Sequence, residues 1–121
     1  KVVLVTVASS GIGAATAKLL AKNGAKVMLA ARREEKLKEL VEEIGDHVAY
    51  RVVDITNYQQ VQQLMADIIA KFGSLDVLIN NAGLGYLGPM AEAAIEEWHQ
   101  MVDVNVNGVL NAIHAALPEL L

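Results

Sequence analysis

The chain has 121 residues, 54% of them hydrophobic, which is material for one core and not two. A formal net charge of −4 without a basic stripe argues against nucleic acid as a partner. Zero cysteines exclude disulfides and thiolate metal sites and fit a reducing compartment, so a cytoplasmic protein is expected.

Val2–Thr6 is a continuous apolar run, the look of a strand buried on both faces. Gly11–Lys22 carries Ile12, Ala15, Leu19 and Leu20 at helical spacing, and Asn23-Gly24 supplies its stop. Ala25–Ala31 reads as the second strand. Glu34–Ile44 follows as a helix with Leu37, Leu40, Val41 and Ile44 on one face, ended by Gly45. Val48–Val53 is the third strand. Thr56-Asn57-Tyr58-Gln59 has capping-box spacing, and the helix behind it sets Val61, Leu64, Met65, Ile68, Ile69 and Phe72 on one stripe before Gly73. Leu75–Asn80 is the fourth strand, and residues 91–104 and 105–117 read as two helices.

Strands alternating with helices of this length predict an α/β fold of Rossmann-like, three-layer αβα type. Its parallel sheet should have four strands in the order 3-2-1-4, within a single domain over 1–121. One Trp and one Phe leave a core of Val, Leu, Ile and Ala, as parallel strands prefer. The switch point falls between strands one and four, and a ligand belongs in the crevice at their carboxyl ends. No apolar run reaches membrane-spanning length and no leader precedes the first strand, so no membrane contact is expected. A start at Lys1 without Met reads as trimmed or processed. His47, His99 and His114 lack metal spacing, so no metal is expected, and Trp98 reads as a helix anchor.

Two turns at the switch point carry chemistry. After strand one, Ala8, Ser9, Ser10, Gly11 and Gly13 are small enough for a pyrophosphate to approach the N–H groups that open a helix. After strand four stands Asn80-Asn81-Ala82-Gly83, whose Asn side chains can tie a turn while Ala82 and Gly83 allow close approach. Together these segments resemble the short-chain dehydrogenase/reductase family, whose N-terminal half binds a nicotinamide cofactor. The resemblance covers essentially the whole chain. It implies a cofactor site made by Thr6, Ser9, Ser10, Gly11, Ile12 and Gly13, with Asn81, Ala82 and Gly83 bordering it. Bracing of the sheet is the alternative role for the second segment. One departure is clear: the family's Thr-Gly-x-x-x-Gly-x-Gly turn has Val7 where its first glycine would stand. A β-branched residue there is stiff and disfavours positive φ, so weakened binding is expected.

The end of strand two bears on cofactor type. A reader of the ribose 2′-hydroxyl would be an acid roughly twenty residues past the glycines, and Ala31 stands there, followed by Arg32 and Arg33. Arginine's planar donors suit a 2′-phosphate, so the resemblance implies NADP. A solvated helix face beside Glu34 and Glu35 is the plainer reading of both arginines. Asp54, after strand three, matches the family's adenine-contacting Asp, with Val53 and Ile55 beside it; a strand-closing Asp before Thr56 is its alternative. Asn105 matches the family's helix asparagine that holds a water in the proton relay, and a local helix kink explains it equally.

The family's catalytic Ser and Tyr-x-x-x-Lys are not in the chain. Four residues beyond Tyr50, Tyr58 and Tyr86 stand Asp54, Gln62 and Met90. The resemblance therefore implies the NADP(H)-binding half of an oxidoreductase that moves hydride between cofactor and a carbonyl or alcohol, the chain alone being inactive. An engineered or degenerate half-Rossmann scaffold with no enzymatic role is the second reading. In either case the fourth-strand edge and the apolar helix from Asn105 onward predict a homodimer.

Overall fold

The computed structural model describes residues 1–6, 11–80 and 95–121. Four parallel strands form one sheet in the order β3-β2-β1-β4: β1 Val2–Thr6, β2 Lys26–Ala31, β3 Val48–Val52 and β4 Val77–Ile79. Between them run α1 Gly11–Lys22, α2 Glu34–Ile44 and α3 Tyr58–Phe72. After β4 come α4 Ile95–Val102, a π-helical segment Asp103–Gly108 and α5 Val109–Leu120. The expected Rossmann-like architecture and strand order are both present.

Side chains alternate across each strand, and the central strands bury both sets. Val2, Leu4, Met28 and Ala30 face one way, onto Val61, Leu64, Met65 and Ile68 of α3 and Ala112 and Ala116 of α5. Val3, Val5, Val27, Leu29 and Ala31 face the other, onto Ala17 of α1 and Leu37 and Leu40 of α2. The result is helices, sheet, helices, in three layers.

The apolar faces of α2 and α3 follow the expected stripes, and both helices end at a glycine with positive φ, Gly45 (104°) and Gly73 (85°). The face of α1 does so only in part, with Leu20 packed against the core. Leu19 is 62% exposed and Ala15 is exposed, whereas Gly13 and Ala17 are buried. Small side chains let this helix approach the sheet closely, and they outweigh the larger leucine in deciding which face turns inward.

Three boundaries also move. The cap of α3 is Asn57, whose side chain accepts from the Gln60 N–H, and not Thr56. Thr56 is diverted because its hydroxyl and N–H both donate to Asp54. β4 is three residues long instead of six, preceded by Asp76, whose carboxylate accepts from Val2 N at 2.8 Å. That side chain occupies the Val2 N–H ahead of the short ladder. The last two helices are joined by the π segment, with Asn105 inside it. A π bulge absorbs an extra residue within a continuous helical run, so the break at Asn105 is a change of helical pitch. The Trp98 side chain lies outside the described residues.

Candidate cofactor crevice

The strand register brings the carboxyl ends together. Thr6 pairs with Ala30, Val5 with Ile79 and Ala31 with Val52, so the segments leaving β1, β2, β3 and β4 share one edge of the sheet. On that edge stand the N-terminus of α1, then Arg32, Asp54 and Asn80. β1 and β4 are neighbours in space, although α1, β2, α2, β3 and α3 separate them in sequence. This is the switch point.

Thr6 is buried at 2% exposure, and its hydroxyl lies 3.4 Å from the Ile79 carbonyl and 3.5 Å from Asn80 Oδ1. It joins the two strands at their carboxyl ends. α1 has no acidic residue in its first turn to oppose an anion, and Gly13 is buried where that turn meets the sheet. Arg32 and Arg33 are both exposed at the end of β2, and neither forms an ion pair among the described residues. Arg32 and Arg33 are thus the cations at this edge that could hold a phosphate-bearing group. Val7, Ser9, Ser10, Asn81, Ala82 and Gly83 lie outside the described residues, as do the side chains of Ile12 and Asn105.

Asp54 is held at both its carboxylate and its N–H. Its Oδ1 accepts from the Thr56 hydroxyl at 2.6 Å and from Thr56 N at 3.0 Å, while its own N–H donates to Gln60 Oε1 at 2.8 Å. The Thr56 hydroxyl holds the carboxyl below its ordinary range; partial burial opposes this, and the Thr56 N–H and the Arg32 charge add to it. A lowered folded-state pKa contributes stability that is present above the unfolded value and lost as pH falls through the lowered one. The Thr56 amide resonance is accordingly expected to titrate with a midpoint below the ordinary Asp value of about 3.9. A midpoint above that value in an NMR titration would contradict the contact.

Ile55 is buried at 8% exposure, and its side chain belongs to the core on the α3/α5 side. Its carbonyl accepts from Asn111 Nδ2 at 3.0 Å. Gly108 lies so close that an added Cβ would stand 2.6 Å from Ile55 Cγ2. Tyr58 and His114 are hydrogen-bonded through the hydroxyl and Nδ1. Sequence reasoning missed Gly108, Asn111 and this pair. The spacing Gly108, Ala112, Ala116 was the available signal, since small residues four apart mark a helix face in close approach. No metal-binding group of His, Asp or Glu occurs among the described residues, and none of the described helices is long and apolar enough to cross a membrane.

Comparison with known proteins agrees with this geometry. The short chain dehydrogenase family model matches residues 1–121. An uncharacterized oxidoreductase of Staphylococcus saprophyticus is 45% identical over 119 residues, covering 98% of this chain and 48% of that protein. The chain thus spans about half the length of the curated relatives it matches. Among solved structures, 3-ketoacyl-(acyl-carrier-protein) reductase from Brucella melitensis, complexed with NADH, superposes with a TM-score of 0.93 at 36% identity, covering 98% of this chain and 49% of that one. An alcohol dehydrogenase from the archaeon Thermococcus sibiricus, complexed with 5-hydroxy-NADP, gives 0.85 at 38% identity, with coverage of 99% and 53%. With the family model spanning every residue and β1 beside β4 in the sheet, the chain belongs to the short-chain dehydrogenase family, an oxidoreductase family with an NAD(P)-binding Rossmann fold.

Proposed function

We propose that this chain binds NADP(H) in the crevice at the carboxyl ends of β1 and β4, as the cofactor-binding portion of a cytoplasmic reductase or dehydrogenase. The observation that carries the reading is the placement of Arg32, exposed and in no ion pair among the described residues, on the same edge as the α1 N-terminus. The N–H groups that open α1 hold the pyrophosphate, Arg32 and then Arg33 hold the 2′-phosphate, and Asp54 and Ile55 flank the adenine. Asn81, Ala82 and Gly83 border the nicotinamide side, and Asn105 keeps a water for proton transfer. When bound, the nicotinamide gives or accepts hydride.

Reduction of a carbonyl also needs an acid at its oxygen, with a pKa tuned by a nearby cation. No tyrosine of this chain has a lysine four residues on. We therefore assign the acid to the whole protein, outside residues 1–121, and the substrate with it.

Equilibrium titration tests the cofactor reading. Arg32→Ala is expected to weaken NADPH about tenfold and NADH far less, because only the former offers a phosphate to a guanidinium. Equal losses for both would remove the NADP assignment.

Self-association is part of the same proposal. Val106, Leu110, Ile113 and Leu117 are 49%, 57%, 41% and 46% exposed, and their 4-3-4 spacing makes a coiled-coil-like seam along the π segment and α5. The β4 edge is the weaker candidate, being three residues long with half-buried side chains. We expect a homodimer that packs these helices, and Ile113→Glu should dissociate it. Light scattering that gives a monomer mass for the unsubstituted protein at micromolar concentration would contradict this.

A further inference from the structure

The helix that begins in the π segment touches Ile55, in the turn after β3, and Tyr58, which opens α3, through residues 108, 111 and 114, three apart and on one face. Each contact has a different chemistry. At Gly108 the backbone is ordinary right-handed helix, φ −61°, so the glycine is not there for its conformational freedom. It is there for space, with Ile55 Cγ2 only 2.6 Å from where a Cβ would stand. Asn111 donates to the Ile55 carbonyl, and His114 meets the Tyr58 hydroxyl at the first residue of α3. From the other side, Thr56 and Gln60 hold both the carboxylate and the N–H of Asp54. Residues 54–58 are thus gripped between the start of α3 and the helix that contains Asn105.

We infer that Gly108 and Asn111 are positioning residues that set the Asp54–Ile55 turn, and through it the adenine side of the cofactor crevice, against the helix bearing Asn105. The inference rests on the cofactor reading above and adds a cause for the shape of its adenine edge. Neither residue touches the cofactor in this account. A methyl at 108 pushes Ile55 and its neighbour Asp54 away from the helix, and loss of the Asn111 donor leaves the Ile55 carbonyl free to turn.

Binding of 2′,5′-ADP and of nicotinamide mononucleotide, the two halves of the cofactor, separates this from a general loss of folding. Gly108→Ala is expected to weaken 2′,5′-ADP about tenfold while leaving the mononucleotide nearly unchanged. In an Ile55→Ala background, where the obstructing carbons are gone, the same glycine substitution should cost little beyond the effect of Ile55→Ala itself. Asn111→Leu, close in volume but without a donor, should also lose 2′,5′-ADP selectively, and it serves if Gly108→Ala does not fold. Amide exchange at Asp54 and Thr56 should quicken in both variants without ligand. Unchanged 2′,5′-ADP affinity, equal losses for both halves, or the same glycine effect in both backgrounds would overturn the inference. If the unsubstituted protein binds neither NADPH nor 2′,5′-ADP, the cofactor reading fails instead. The exchange rates then still decide the docking, and unchanged rates would overturn that too.

Discussion

Leu4→Ala is expected to destabilise the fold by about 3 kcal/mol, within the range for leucine truncation in a packed core. Leu4 is fully buried at the centre of β1, with Met28 of β2 and Leu78 of β4 as its register partners. Its side chain faces the α3/α5 layer, where sheet and helices leave little freedom to collapse around a cavity. Against a typical total of about 5–15 kcal/mol, that is a large fraction of the fold's stability. Urea denaturation measures it, with Leu19→Ala as the comparison. Leu19 is 62% exposed, so its truncation should cost no more than about 0.5 kcal/mol. A cost below about 1 kcal/mol for Leu4→Ala would mean that the centre of the sheet is not packed as described.

Val7→Gly is expected to strengthen NADPH binding by about 1–3 kcal/mol, the scale of one relieved backbone strain. β1 ends at Thr6 and α1 begins at Gly11, so four residues make the passage from strand to helix. On the proposed cofactor reading the first of them would turn beneath a phosphate, which glycine would permit and the branched Cβ of valine would resist. The substitution also loosens the unfolded chain, so stability should fall slightly as affinity rises. Unchanged or weaker binding in the variant would show that Val7 does not crowd the phosphates.

The sheet was legible because its strands are buried on both faces and so appear as uninterrupted apolar runs. Helices α2 and α3 were legible because leucine, isoleucine and valine mark their inner faces. α1 was misread at Ala15 and Leu19 for the converse reason: Gly13 and Ala17 carry little hydrophobic weight, yet their smallness is what places them inward. The cap at Asn57 and the short β4 depend on side chains of Asp54 and Asp76 reaching backbone groups, which no periodicity reports. The π segment interrupts a pattern read as two plain helices, although Asn105 and Asn107 within it were a sign of competition for backbone hydrogen bonds. Arg32 and Asp54 could be put at the carboxyl edge of the sheet from their places after strands. Gly108 and Asn111 could not be placed so, since their partner Ile55 lies more than fifty residues earlier, at separations of |i−j| = 53 and 56.

Amide chemical-shift mapping with NADPH tests the central claim most directly. Described residues at the carboxyl edge of the sheet, Thr6, Gly13, Arg32, Asp54 and Asn80, should shift together and saturably. Those at the opposite edge, Lys26, His47 and Asp76, should stay in place. Shifts centred on the second set, or none at saturating NADPH, would contradict a cofactor crevice at the switch point.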